Sequence, residues 1–105
     1  MLRFKIYITG PMRNEIGSLL DKEEIMKFNK FKEKLRINPY IGKPLRVPFV
    51  REFKTNSGKR LYFIIYEDNY KILFVATSKK KDQKNTINSI FKNLKEYRQI
   101  ISNID

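Results

Sequence analysis

An α+β fold is predicted by three features of the sequence. Residues 49–55, 59–66 and 70–77 alternate apolar and polar side chains with the two-residue period of strands, and short polar turns separate them. Ile87, Ile90, Phe91, Leu94, Tyr97, Ile101 and Ile104 fall on one stripe of a 3.6-residue period, the mark of an amphipathic C-terminal helix. Asp21 stands three residues before Glu24 and ahead of Ile25, Phe28, Phe31, Lys32 and Leu35 at helical spacing, as in a capped helix. Together they describe a small antiparallel β-sheet in the order β-α-α-β-β-β-α, with an N-terminal helical hairpin and a C-terminal helix. One domain, residues 1–105, is expected, because a chain of about 100 residues closes around a single core.

Taken in order, residues 2–9 set Leu2, Phe4, Ile6 and Ile8 against Arg3, Lys5, Tyr7 and Thr9, a half-buried strand that Gly10-Pro11 ends. Residues 12–20 read as a short helix containing Gly17. Asp21 opens the second helix, and Asn38-Pro39 closes it, since the residue before a proline is pushed away from helical backbone. Residues 40–48, with Gly42, Pro44 and Pro48, read as a connecting loop. The three strands that follow turn at Asn56-Ser57-Gly58 and Glu67-Asp68-Asn69, which makes an antiparallel meander the economical arrangement. The helices are expected on one side of the sheet.

Charge points to an anionic partner. Lys and Arg number 23 against 11 Asp and Glu, a net +12 that concentrates phosphate-rich ligands. Most of the excess lies between Lys43 and Lys95. The longest uninterrupted apolar run, residues 61–66, is far short of the roughly 20 residues a membrane helix needs, and Arg3 and Lys5 interrupt any signal-peptide core. A soluble, cytoplasmic protein with no membrane partner is expected. Cysteine and histidine are absent, which removes disulfides, thiol chemistry, the commonest zinc ligands and the usual neutral-pH proton shuttle. Neither a metal nor a cofactor is expected, and catalysis would fall to Lys, Arg, Tyr, Glu, Asp or backbone groups.

Side chains alternate across a strand, so parity decides which of these can meet. Leu61, Phe63 and Ile65 form one face of the middle strand, while Arg60, Tyr62, Ile64 and Tyr66 form the other. If helices cover the face that also holds Phe53, then Glu52, Lys54, Arg60 and Tyr62 share the opposite face, with direct cross-strand pairs about 5 Å apart. Arg51 has the other parity. Lys79, Lys80 and Lys81 follow the last strand, just before a helix whose free amides also attract anions. Taken singly, such cations are most often solubility or edge-protecting groups. Several of them converging on one face points to a polyanion site.

In this register the residues resemble the RelE/ParE toxin superfamily, particularly its HigB-like and phage-derived killer-protein branches. The resemblance is carried by Leu35 followed by Asn38-Pro39, Gly42-Lys43-Pro44-Leu45-Arg46, Val50-Arg51-Glu52-Phe53-Lys54, Gly58-Lys59-Arg60-Leu61-Tyr62-Phe63, and Ser78-Lys79-Lys80 with Gln83-Lys84 and Ile87. It implies the toxin of a type II toxin-antitoxin system, held in check by a cognate acidic antitoxin protein. In RelE- and HigB-like members it also implies a ribosome-associated mRNA endonuclease that arrests translation; ParE-like members inhibit DNA gyrase instead. Arg60 matches the arginine used on the scissile phosphate, Lys54 and Lys80 match basic positions of the same surface, and Arg51, Lys79, Lys81 and Lys84 are supporting RNA-binding candidates. RelE itself carries a catalytic tyrosine at the start of its last helix, where this sequence reads Asn85-Thr86-Ile87.

The chemistry open to such residues is metal-independent attack of an RNA 2′-hydroxyl on the adjacent phosphate. It needs a base, an acid, and cations for the charge building on phosphorus-bound oxygens. Arginine grips phosphate bidentately where lysine cannot. Crowded like charges ease proton loss from a lysine, so Lys54 or Lys80 is a candidate base or acid, and Glu52 is a second candidate base. Tyr62 or Tyr66 is a candidate for stacking on a nucleotide. Two other classes remain open: a ParE-like gyrase inhibitor, and a noncatalytic RNA- or protein-binding module.

Overall fold

The computed structural model describes residues 3–104, so the Leu2 end of the first strand lies outside the described residues. Five strands and four α-helices occur among them: β1 (Lys5–Ile8), α1 (Gly10–Leu19), α2 (Lys22–Ile37), β2 (Lys43–Leu45), β3 (Val47–Lys54), β4 (Arg60–Tyr66), β5 (Lys71–Ser78), α3 (Gln83–Lys92) and α4 (Leu94–Ser102). The α+β class and the helical hairpin, meander and C-terminal helix follow the sequence expectation. The strands form one sheet in the order β1-β5-β4-β3-β2.

Strands β3, β4 and β5 pair antiparallel, as their short turns require. Strand β1 instead runs parallel to β5, with Lys5 opposite Lys71 and Ile8 opposite Phe74, so the sheet is mixed rather than antiparallel throughout. A parallel neighbour cannot be reached through a hairpin. Helices α1 and α2 carry the chain across one face to the far edge, and the meander brings it back to β1. Strand β2 lies inside the stretch expected to be a loop. It is a three-residue edge strand on β3, and an edge is where Pro44 can sit without breaking a ladder.

The helices cover both faces, not one. Every residue of β4 is buried. One of its parities packs with Phe28, Leu35 and Phe74 in the core under α1 and α2, and the other with Val50, Ile90 and Ile101 in the core under α3 and α4. The physical reason is in β4 itself: Tyr62, Ile64 and Tyr66 present large apolar surfaces, as Leu61, Phe63 and Ile65 do on the other side, and two such faces need two covers. The predicted C-terminal stripe supplies the second cover, broken at Asn93, whose backbone leaves the helix while its side-chain amide donates to the Ser89 carbonyl at 2.9 Å.

Two local devices position the site. Asp21 and Glu24 form the expected capping box, each side chain accepting from the other's amide at 2.8 and 3.0 Å. Glu24 also accepts from Lys59 Nζ at 2.8 Å and from the Ser57 hydroxyl at 2.6 Å, which ties the start of α2 to the β3–β4 turn. The second device is a bulge in β5. Tyr62 opposes Ala76 but Phe63 opposes Phe74, leaving Val75 extra. Val75 and Ala76 therefore pack on the same core, and Ser78 arrives on the Tyr62 face. Bulges re-aim side chains in this way.

Candidate nucleic-acid interface

Arg60 opens β4, opposite Lys54 of β3 and Ser78 of β5. The parity argument holds: Phe63 lies in the α1/α2 core, while Tyr62, Ile64 and Tyr66 lie in the other. Glu52, Lys54, Arg60 and Tyr62 share this second face, at the end of the sheet where the strands meet the start of α3. Arg60 is only 6% exposed. Its Nη1 donates to the Gly58 carbonyl at 2.8 Å, and its Nε lies 3.4 Å from Glu52 Oε2. Neither of those two facing atoms makes a hydrogen bond among the described residues, and both are shielded from solvent.

Tyr62 is fully buried beside this pair, its hydroxyl 2.8 Å from Ser78 Oγ. Burial pushes the Tyr62 pKa up, and the Ser78 bond pulls the other way. Its ring is part of the core and supports the site from beneath. The bulge in β5 makes this contact, because strict alternation from Ile72 and Phe74 would have sent Ser78 to the opposite face.

Exposed cations surround the buried row. Lys54, Lys79, Lys80, Lys81 and Lys84 all face solvent. A groove of about 470 Å³ is lined by Lys80, Lys81, Lys84, Gln83 and Ile87 on one side and by Pro44, Leu45 and Arg46 on the other. A second concavity of about 370 Å³ is lined by Glu52, Lys54 and Arg60 together with Lys43, Gly42, Phe53, Ile41 and Phe31. Gly42 is required there, since a Cβ would sit 2.7 Å from the Glu52 carbonyl oxygen and 3.0 Å from the Phe63 ring. Among the described residues no three carboxylates come together to hold a metal ion.

Arg46 and Lys43 were not singled out as site residues by sequence reasoning. Arg46 has a left-handed backbone (φ 62°), a conformation that costs a non-glycine residue roughly 1–2 kcal/mol. Its guanidinium donates to Asn88 and lies 5.0 Å above the Phe91 ring, which fixes it across the groove from Lys80 and Lys81. Its place among the basic residues of the second half was visible; its partner in α3 was not.

Two expected RNA-binding residues lie elsewhere. Arg51 has the opposite parity and donates from Nε to the Gly42 carbonyl at 2.8 Å, from Nη1 to Pro48 at 2.9 Å and from Nη2 to Tyr40 at 3.1 Å. It clasps the turn at Pro39–Ile41 and β2 onto the sheet. Tyr66 ends β4, six positions and roughly 20 Å from Arg60 along the strand. Its hydroxyl is buried with no hydrogen-bond partner among the described residues. Burial pushes its pKa up to about 12, against the pull of the Arg98 guanidinium. A cavity of about 550 Å³, mainly apolar, lies at this end, lined by Tyr40, Pro48, Phe49, Tyr66, Leu94 and Arg98 among others.

Neither a family model nor a curated protein sequence matches this chain. Solved structures do. A double mutant of the E. coli toxin RelE in its free state superimposes with a TM-score of 0.68 at 14% identity, covering 84% of this chain and 93% of that one. The same mutant in complex with a peptide of the antitoxin RelB gives 0.65 at 14%, covering 84% and 95%. This chain has a RelE-type toxin fold. The RelE-type fold is matched too in the RelBE2 toxin-antitoxin complex from Mycobacterium tuberculosis, with a TM-score of 0.59 at 17% identity over 76% of this chain and 94% of that one. These matches span nearly the whole of each similar chain.

Proposed function

We propose that this protein is the toxin of a type II toxin-antitoxin system and acts as a metal-independent, ribosome-associated mRNA endonuclease. The observation that carries the reading is the convergence of Arg60, Lys54 and the Lys79–Lys81 cluster at one end of a RelE-type sheet, beside a groove lined by four cations and no carboxylate. In this mechanism the groove holds the RNA backbone through Arg46, Lys80, Lys81 and Lys84. The 2′-hydroxyl loses its proton to Lys54 or Lys80 and bonds to the adjacent phosphorus. The 5′-oxygen then leaves with a proton from the other lysine, and a 2′,3′-cyclic phosphate remains. Arg60 stabilises the charge gathering on the phosphoryl oxygens. DNA lacks the nucleophile and is spared.

The partner is an acidic antitoxin protein, and the cellular target is message on the cytoplasmic ribosome. The antitoxin is supported by the RelE-type fold, by the antitoxin complexes of the similar structures, and by the uncompensated +12 charge. A translation reaction with primer-extension mapping tests the whole reading. Cuts within translated message, lost in Arg60→Ala, are expected; ribosome binding without cuts would reject the nuclease.

A second reading rests on one observation. Arg60 is buried and bonded to a backbone carbonyl, as a structural arginine would be. That suits a ParE-like gyrase inhibitor or a noncatalytic RNA- or protein-binding module. Inhibition of gyrase supercoiling with intact message would select the ParE-like form.

A further inference from the structure

Glu52 is a buried carboxylate set among cations. It is 3% exposed, with Lys43 opposite it on β2 and Tyr62 opposite it on β4. Lys54 lies two residues along its own strand, and Arg60 Nε is 3.4 Å from its Oε2. A buried ion pair that contributed rigidity would satisfy its donors and acceptors, because orphaned polar atoms in the interior are costly. Here the two facing atoms, Glu52 Oε2 and Arg60 Nε, are both left without a hydrogen bond. The pair is close enough to attract and too poorly aligned to be a good resting place for a guanidinium.

Both side chains line the same concavity, about 370 Å³, whose rim carries Lys43 and Lys54. A phosphodiester entering it offers Arg60 two oxygens in a fork that matches the guanidinium, in place of one misaligned carboxylate oxygen. We propose that Glu52 is a stand-in for the RNA phosphate: it holds Arg60 withdrawn in the free protein, and the incoming phosphate displaces it. Glu52 is then a positioning residue that sets how strongly a strand must bind before Arg60 is released, and it moves no proton. The inference rests on the reading of Arg60 as the phosphate-gripping residue. The bond exchange itself requires only a phosphodiester, not cleavage.

The exchange is read directly from the Arg60 Nε–Hε signal in ¹⁵N NMR, with a single-stranded deoxyribo-oligonucleotide as a probe that is bound and not cut. In the wild-type protein the Arg60 signal should shift as the oligonucleotide binds. Glu52→Gln should bind the same probe about tenfold more tightly, since a like charge facing the ligand is gone, with the Arg60 signal displaced before ligand is added. An unmoved Arg60 signal at saturation overturns the proposal even if Glu52→Gln fails to fold. So does a folded Glu52→Gln that binds no more tightly, or one whose RNA cleavage loses the acid limb of its pH profile, as loss of a general base would cause. If Arg60 responds to the oligonucleotide and no message is cut, the exchange stands and the nuclease reading falls. If message is cut while Arg60 stays silent, the reverse holds.

Discussion

The two ends of β4 share a strand and a parity, and each has a buried tyrosine, yet their charged surroundings differ. At the Arg60 end, Tyr62 finds a hydroxyl partner in Ser78, and the surrounding cations outnumber the carboxylates Glu52 and Asp82. At the Tyr66 end the tyrosine hydroxyl has no partner, the cavity above it is apolar, and Arg98 is paired with Asp68 across its mouth. The field of one end is therefore open and that of the other closed on itself. What separates the two ends is the charge left over: exposed lysines outnumber the carboxylates around Arg60, whereas Arg98 is paired one to one with Asp68.

The strongest way to break this comparison is to remove one arginine from each end. Arg60→Ala should cost roughly 2.7–4 kcal/mol in the cleavage step, the range for losing one preorganised donor to a developing oxyanion. Arg98→Ala should leave single-turnover cleavage within about twofold of wild type, because an exposed ion pair contributes at most about 1 kcal/mol to stability. Equal losses in both variants, with unchanged circular dichroism, would mean that the two ends do not differ in the way described.

Changing Lys79, Lys80 and Lys81 together to Ala should act on binding rather than chemistry. Each phosphate that is no longer neutralised lowers the slope of log affinity against log salt by about 0.7 on a single strand, so up to about two units should disappear from the slope of oligonucleotide binding. A slope unchanged in a salt titration would remove these lysines from the interface.

Acid should loosen the Arg60 end through Glu24. Hydrogen bonds from Lys59, Ser57 and the Asp21 amide hold the Glu24 pKa down, from 4.5 to about 2. A carboxylate that ionises more readily in the folded chain than in the unfolded one stabilises the fold above the unfolded pKa. That stabilisation is lost as pH falls through the folded pKa, here between about 4.5 and 2. Glu24→Gln should be less stable than wild type at neutral pH and show a flatter decline across that window in urea-unfolding midpoints. The smallest effect belongs to the other end: Tyr66→Phe removes a buried hydroxyl that has no partner, so its stability should match wild type or exceed it by up to about 1 kcal/mol. A destabilisation larger than that in thermal unfolding would reveal a partner for the hydroxyl.

Much of the fold was legible in local pattern. The alternation in β3, β4 and β5, the Asp21–Glu24 cap and the C-terminal stripe depend on residues within a few positions of one another, and all of them appear in the structure. That Arg60 shares a face with Lys54, away from Phe63, also followed from parity, while the register that sets the two directly opposite each other came from the structure. Arg51 shows the limit of that approach. Its parity was legible, but no local pattern could reveal that its three nitrogens would be taken by the carbonyls of Tyr40, Gly42 and Pro48.

By itself the sequence determined the strand periods, the helix cap, the basic excess and the face on which Arg60 lies, because each is a property of composition or of neighbours along the chain. Only the tertiary structure decided that β1 joins β5 in parallel, that α3 and α4 cover the second face and bury Tyr62 and Tyr66, and that Arg46 reaches Asn88 and Phe91. It also decided that an extra residue at Val75 turns Ser78 toward Tyr62 and Arg60. These depend on which distant surfaces exclude water together, and a bulge reverses parity without altering the local run of apolar residues that announces the strand.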